Sequence, residues 1–122
     1  MLISKDDKIF VTGHKGMVGS AICRKLKKKG YKKILTATRK DLDLRNSKDV
    51  EKWFSMNKPD NVILAAAKVG GIEANKNFPT EFLLDNIKIQ NNVIESCWKS
   101  KIKRLLFLGS SCIYPKYAKQ PI

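Results

Sequence analysis

Short runs of consecutive apolar residues alternate along the chain with segments whose apolar positions recur every three or four residues. The first run, residues 8–12 (KIFVT), is stopped by a glycine. Met17, Val18, Ala21, Ile22 and Leu26 then follow at helical spacing, which predicts an amphipathic helix over residues 17–29 ending at Gly30. Residues 33–38 (KILTAT) form a second strand candidate, and Ser47 is placed to cap a helix through Phe54, with Pro59 closing the connection. Residues 61–67 (NVILAAA) read as a third, buried strand, followed by a loop rich in glycine, asparagine and proline over 68–79. Thr80 and Glu81 open a longer helix, along one side of which stand Leu83, Ile87, Gln90, Ile94 and Trp98. Residues 105–108 (LLFL) are a fourth strand, again stopped by glycine.

Strands alternating with helices in this way predict an α/β fold with a parallel sheet covered on both faces. Right-handed crossovers give a Rossmann-like, doubly wound sheet of about four strands in the order 3-2-1-4. The fourth strand then leaves an edge at which a fifth should pair. No repeat, low-complexity tract or linker divides the 122 residues, so one domain is expected.

Composition narrows the function classes. The charged start of the chain points away from a secretion signal, and no uninterrupted apolar run approaches the roughly 18 residues of a membrane span. Cys23, Cys97 and Cys112 are odd in number and widely spaced; they read as cytoplasmic thiols rather than disulfides or metal ligands. The formal charge of +14 is large, but its lysines are scattered. The densest cluster, residues 25–33, sits at a predicted helix end and holds a single aromatic, Tyr31, rather than a series on which successive bases could stack. The charge therefore speaks for solubility and nonspecific attraction, not for a specific nucleic acid or a membrane partner.

The segment VTGHKGMVGS joins the first strand to the first helix, with Gly13, Gly16 and Gly19 spaced G-x-x-G-x-x-G. The first glycine suits a tight turn, the second close approach of a pyrophosphate, and the third helix–strand packing. The helix N-terminus offers free N–H groups to phosphates. In this context the loop predicts dinucleotide binding. About 20 residues on, where an acidic residue would bind the ribose of NAD, the chain reads Thr38-Arg39-Lys40. These cations, with Lys15, suit the 2′-phosphate of NADP, while Asp41 competes as a ribose acceptor. His14, the single histidine, reads as a loop residue beside the cofactor rather than an acid or base.

The glycine loop, the alternating pattern and a serine after the fourth strand are similar to those of the extended short-chain dehydrogenase/reductases. GHKGMVGSAI (13–22), LAAAKVGGIEAN (64–75) and LLFLGSSCIYPKYAKQPI (105–122) resemble the branch that epimerises and reduces GDP-4-keto-6-deoxy-mannose. The resemblance implies that Gly13, His14, Lys15, Gly16, Met17, Val18 and Gly19 cradle the NADP pyrophosphate. It implies that Arg39, Lys40, Asp41, Leu42, Asp43 and Leu44 line the adenosine end. Leu108, Gly109, Ser110 and Ser111 would pass beside the nicotinamide, and Asn86 would help to hold the cofactor side of the site. Ser110 falls at the position of the catalytic serine, and Cys112 at that of the cysteine used in epimerisation.

Such reductases also use a tyrosine with a lysine four residues later. Four residues beyond Tyr31, Tyr114 and Tyr117 stand Leu35, Ala118 and Pro121, so the pair is absent. The expectation is an N-terminal part of an NADP-binding domain, without the substrate-binding C-terminal region and inactive alone. Other readings are a different NAD(P)-dependent nucleotide-sugar epimerase or dehydratase, and a noncatalytic dinucleotide-binding module. The resemblance further implies a homodimer for the full-length enzyme.

Overall fold

The computed structural model describes residues 3–110 and 113–121. Its central strand, β1 (Ile9–Thr12), is buried at every position, as an unbroken apolar run should be when both sheet faces are covered. β1 pairs in parallel with β2 (Ile34–Leu35) on one side and with β3 (Asn61–Leu64) on the other. β3 in turn pairs in parallel with β4 (Arg104–Phe107), giving a four-stranded sheet in the order β2-β1-β3-β4.

The class is the expected doubly wound α/β sheet, and the difference from 3-2-1-4 lies in the position of the third strand. The stretch 36–46 forms turns rather than a strand beyond β2. The chain therefore leaves the β2 edge through α2 (Ser47–Asn57) and crosses to the far side of β1. With right-handed crossovers, this reversal of direction puts α1 (Met17–Lys28) on one face of the sheet and α2 with α4 (Pro79–Lys99) on the other. It also places the switch point between β1 and β3, where an open α/β sheet forms its ligand crevice.

The core follows this division. Phe10, Val62 and Leu64 pack with Val50 and Phe54 of α2 and Val93 and Cys97 of α4. Trp53 stacks on Phe10 at 3.9 Å between ring centroids, and Phe54 meets the same ring edge-on. On the opposite face Ile9, Val11 and Ile63 pack against Ile22, Cys23 and Leu26 of α1.

Three local expectations are revised. The cap of α2 is Asn46 rather than Ser47: its Oδ1 accepts from the N–H groups of Lys48 at 3.0 Å and Asp49 at 3.3 Å. The loop 68–79 contains a short helix, α3 (Ile72–Asn77). The α4 side bearing Leu83, Ile87, Ile94 and Trp98 faces solvent, and Trp98 is 77% exposed. Its packed side carries Ile89, Val93, Ser96 and Cys97 instead.

Candidate cofactor-binding site

A crevice of about 560 Å³ opens at the carboxyl ends of β1 and β3, within the size range of small-molecule sites. Its floor is the glycine loop. Gly13 has φ +70°, and a Cβ there would lie 2.8 Å from the Ala65 carbonyl, so both the conformation and the space require glycine. A Cβ on Gly19 would run into the Gly13 carbonyl, which explains why α1 can start so close to β1. Gly16 differs: its Cβ would stand 3.3 Å from Gly13 O, and its place is the N-cap of α1. No side chain caps that helix, leaving the N–H groups of Met17, Val18 and Gly19 for a ligand at the positive end of its dipole.

The wall from β3 is built by Thr12. Its buried Oγ1 accepts from the N–H groups of Ala65 and Ala66, both at 3.1 Å, and donates to the Ile63 carbonyl at 3.4 Å. This fixes the exit of β3 so that Ala65, Ala66, Ala67, Lys68 and Val69 form the side of the crevice. Asn86 holds the far end of that wall. Its Oδ1 accepts from the Lys68 N–H at 2.7 Å, and its Nδ2 donates to the Lys68 carbonyl at 2.9 Å.

Charge is unevenly distributed around the opposite rim. Arg45 grips Asp43 bidentately, with Nη2 2.7 Å from Oδ2 and Nε 3.0 Å from Oδ1, and reaches Asp85 at 3.4 Å. The Asp43 carboxyl is held down to about 2 by hydrogen bonds from Arg45. Lys68 Nζ lies 3.0 Å from Asp85, which is lowered in turn, chiefly by that hydrogen bond. Arg45 and Lys68 are thus neutralised in place. Among the described residues, Lys15 and Arg39 also line the crevice and make no ion pair. Asp41, the competing ribose acceptor, is engaged otherwise: Oδ2 accepts from the Thr38 hydroxyl at 2.6 Å and the Thr38 N–H at 3.0 Å. Those two bonds hold its carboxyl below the usual carboxylate range, the hydroxyl contributing most.

Gly13 to Gly19, Arg39, Leu42, Asp43 and Leu44 are therefore brought together around one crevice. Lys40, Asp41 and Asn86 stand outside its lining, Asn86 acting through the Lys68 backbone. Leu108 extends the ladder from β4, its N–H donating to the Leu64 carbonyl at 3.2 Å, and Gly109 and Ser110 follow as exposed residues at the same end of the sheet. Ser111 and Cys112 lie outside the described residues. Cys97 is buried, which pushes its thiol up to about 11, and burial also raises Cys23; neither is a reactive thiolate near neutrality. Sequence reasoning missed Thr12, the 65–69 wall, Arg45 and Asp85. The signal for the wall was the run of three alanines after the third strand, small residues where backbone must approach a ligand.

Residues 9–122 match the NAD dependent epimerase/dehydratase family. The chain belongs to that family. Within it, the chain is similar to GDP-L-fucose synthase 1 of Arabidopsis thaliana, with 57% identity over 118 residues, 97% of this chain and 36% of the relative. A GDP-D-glycero-L-gluco-heptose synthase from Campylobacter jejuni, solved in the presence of NADPH, superposes with a TM-score of 0.94 at 38% identity, over 99% of this chain and 35% of that one. A GDP-L-fucose synthetase from Naegleria fowleri bound to NADP gives 0.85 at 32% identity, over 100% and 36%. This member of the epimerase/dehydratase family thus spans about a third of the length of these relatives.

Proposed function

We propose that this chain is the N-terminal, cofactor-binding part of an NADP-dependent GDP-L-fucose synthase, the enzyme that epimerises GDP-4-keto-6-deoxy-mannose at C3 and C5 and reduces it at C4. The observation that carries the reading is the crevice at the β1/β3 switch point, floored by the three-glycine loop and rimmed by Lys15 and Arg39, cations that make no ion pair among the described residues. The residues present fit the cofactor. The space beside Gly13 and Gly19 is closed to any larger side chain, the uncapped first turn of α1 faces a diphosphate, and two cations suit a 2′-phosphate. NADP over NAD is favoured because Asp41 is already committed to Thr38. The relatives solved with NADP or NADPH support the same choice.

When bound, NADPH supplies the hydride for C4. The protein contributes position and proton chemistry. Gly13 to Gly19 hold the diphosphate, Arg39 and Lys15 the 2′-phosphate, and Asn86 keeps the 65–69 wall in place. Ser110 donates its hydroxyl to the keto oxygen and stabilises the charge that develops there. Cys112 serves as acid or base at the carbons flanking the ketone, a role that the resemblance of the GSSCIYP stretch to the family implies. The Tyr-x-x-x-Lys pair and the sugar-nucleotide site belong to the remainder of the full-length enzyme.

That enzyme pairs with a second copy, and the support is the outer face of α4. Leu84, Ile87, Ile94 and Trp98 recur there at intervals of three, seven and four residues, exposed, as a helix–helix seam would require. A cytoplasmic location accords with the free thiols Cys23 and Cys97. No helix among the described residues is long and apolar enough to cross a membrane.

The test is a chimera in which residues 1–122 replace the corresponding segment of the Arabidopsis synthase. It should form GDP-L-fucose from GDP-4-keto-6-deoxy-mannose and NADPH. Cys112→Ser should abolish C3/C5 exchange, and Ser110→Ala should slow both half-reactions by roughly 10²-fold or more. A soluble chimera that binds NADPH yet forms no product would overturn the reading in favour of a noncatalytic dinucleotide module.

A further inference from the structure

The cations of this chain are not spread evenly over the fold. In a parallel α/β sheet the strand starts and helix ends share one pole, opposite the crevice. Backbone bonds tie that pole together here: Ile9 N donates to Lys33 O, Asp60 N to Lys8 O, and Lys103 N to Asp60 O. The Lys5 ammonium reaches the Lys29 carbonyl across the same rim. The pole-forming stretches 5–8, 25–33, 57–60 and 99–103 carry twelve lysines and three aspartates. The whole chain has 25 cations and 11 acidic residues, so nearly half of the positive charge meets about a quarter of the negative. All twelve lysines are exposed. Among the described residues, ion pairs engage only two of them, Lys99 with Glu51 and Glu95, and Lys103 with Asp7 and Asp60.

Three lysines in the last turn of α1 exceed what one helix dipole can offset, since that end carries about half a unit of negative charge. The remaining field is directed to solvent. Within these stretches no large apolar side chain is exposed: Tyr31 lies under the Lys5 ammonium at 4.0 Å, Pro59 is buried, and Ile102 is half-buried; at their borders Met56 and Trp98 are exposed. Stable attachment to a membrane takes an apolar anchor as well as a basic patch, and the two side chains at the borders, Met56 and Trp98, are a small anchor beside twelve lysines. Binding to a nucleic-acid backbone needs only cations, because neutralising phosphates releases condensed counterions.

We infer that this lysine pole is a docking face for nucleic-acid phosphates without sequence preference, separate from the dinucleotide crevice. Point-charge ammonium groups that meet phosphates give attraction without base readout. The experiment measures anisotropy of a fluorescein-labelled 20-base-pair duplex titrated with the 122-residue chain between 50 and 300 mM KCl. Binding at 50 mM should weaken steeply with salt, with a log–log slope near −0.9 per phosphate neutralised. The triple variant Lys28→Gln/Lys32→Gln/Lys33→Gln should bind roughly 10-fold or more weakly at 50 mM KCl, with a slope shallower by about two to three. A control of equal net charge, Lys76→Gln/Lys88→Gln/Lys119→Gln, should stay within about threefold of the parent.

Equal weakening by both triples would show that bulk charge, not the pole, is responsible, and would overturn the inference. So would absence of binding by the parent at 50 mM KCl, or tighter binding to vesicles containing phosphatidylserine than to the duplex. Thermal melts accompany each variant. If the pole triple melts early, Lys58→Asn/Lys101→Asn takes its place, since both positions have positive φ that asparagine tolerates. An unchanged affinity in that double variant would equally refute the pole.

Discussion

Replacing Asn86 by alanine separates a residue that touches the cofactor from one that holds the wall beside it. The side chain closes a two-bond ring on the Lys68 backbone, at 2.7 Å and 2.9 Å, and is half-buried. Each such bond contributes about 0.5–1.5 kcal/mol net, so the pair is worth roughly 2 kcal/mol. In a domain of this size that should lower the melting temperature by roughly 6–10 °C. Lys68 would also lose the restraint that keeps its ammonium on Asp85, and the 65–69 wall would open with it. NADP affinity should fall several-fold, and saturating NADP should recover part of the lost melting temperature, because a ligand that binds only the folded state stabilises it. Asn86→Asp keeps the acceptor but loses the donor, and should fall between the two proteins at neutral pH. The assay is a set of thermal melts with and without NADP, alongside fluorescence titrations of NADPH. Loss of affinity with an unchanged melting temperature would refute the reasoning, because it would make Asn86 a direct ligand contact.

Further outcomes follow from the same geometry. Gly16→Val should weaken NADP binding at least 10-fold while leaving the melt nearly unchanged, since its Cβ meets only the Gly13 carbonyl at 3.3 Å; Gly19→Ala should lower both. Arg39→Ala should weaken NADP by about 10-fold or more and leave NAD within about twofold, by calorimetric titration, if the guanidinium serves the 2′-phosphate. Acid unfolding followed by circular dichroism should reflect Asp43. Its carboxyl is lowered from 3.8 to about 2 in the folded chain, so its stabilisation is complete above about pH 4 and disappears as pH falls toward 2. Arg45→Met should raise the midpoint of acid unfolding and flatten that limb; an identical acid profile would show that the pair contributes nothing.

Much of this arrangement was legible in the chain because β1, β3 and the glycine loop each carry an unambiguous local signal. Four consecutive buried residues in β1 suit a strand covered on both faces, and within the loop itself Gly13 is required by its positive φ and Gly19 by the approach of the Gly13 carbonyl. The strand order was not legible in the same way. It depends on residues 36–46 failing to make a strand beyond β2, and no periodicity in TATRKDLDLRN announces that failure. The capping choice between Asn46 and Ser47 turned on one residue of register, within the uncertainty of any helix boundary. The apolar side of α4 misled for a different reason. Two apolar faces wind around that helix, and the one with Leu83, Ile87, Ile94 and Trp98 is larger, yet the sheet is covered by the one with Val93 and Cys97. The crevice wall at 65–69 depends on Thr12 and Asn86, each more than fifteen residues away from it, and such long-range hydrogen bonds leave no local pattern.

A nitrogen-15 heteronuclear NMR titration of the 122-residue chain with NADP tests the central claim most directly. The account predicts saturable shifts of the Met17, Val18 and Gly19 amides and of residues 65–69, with the Lys103 end of the sheet unmoved. Shifts confined to other parts of the molecule, or none at millimolar NADP, would contradict it.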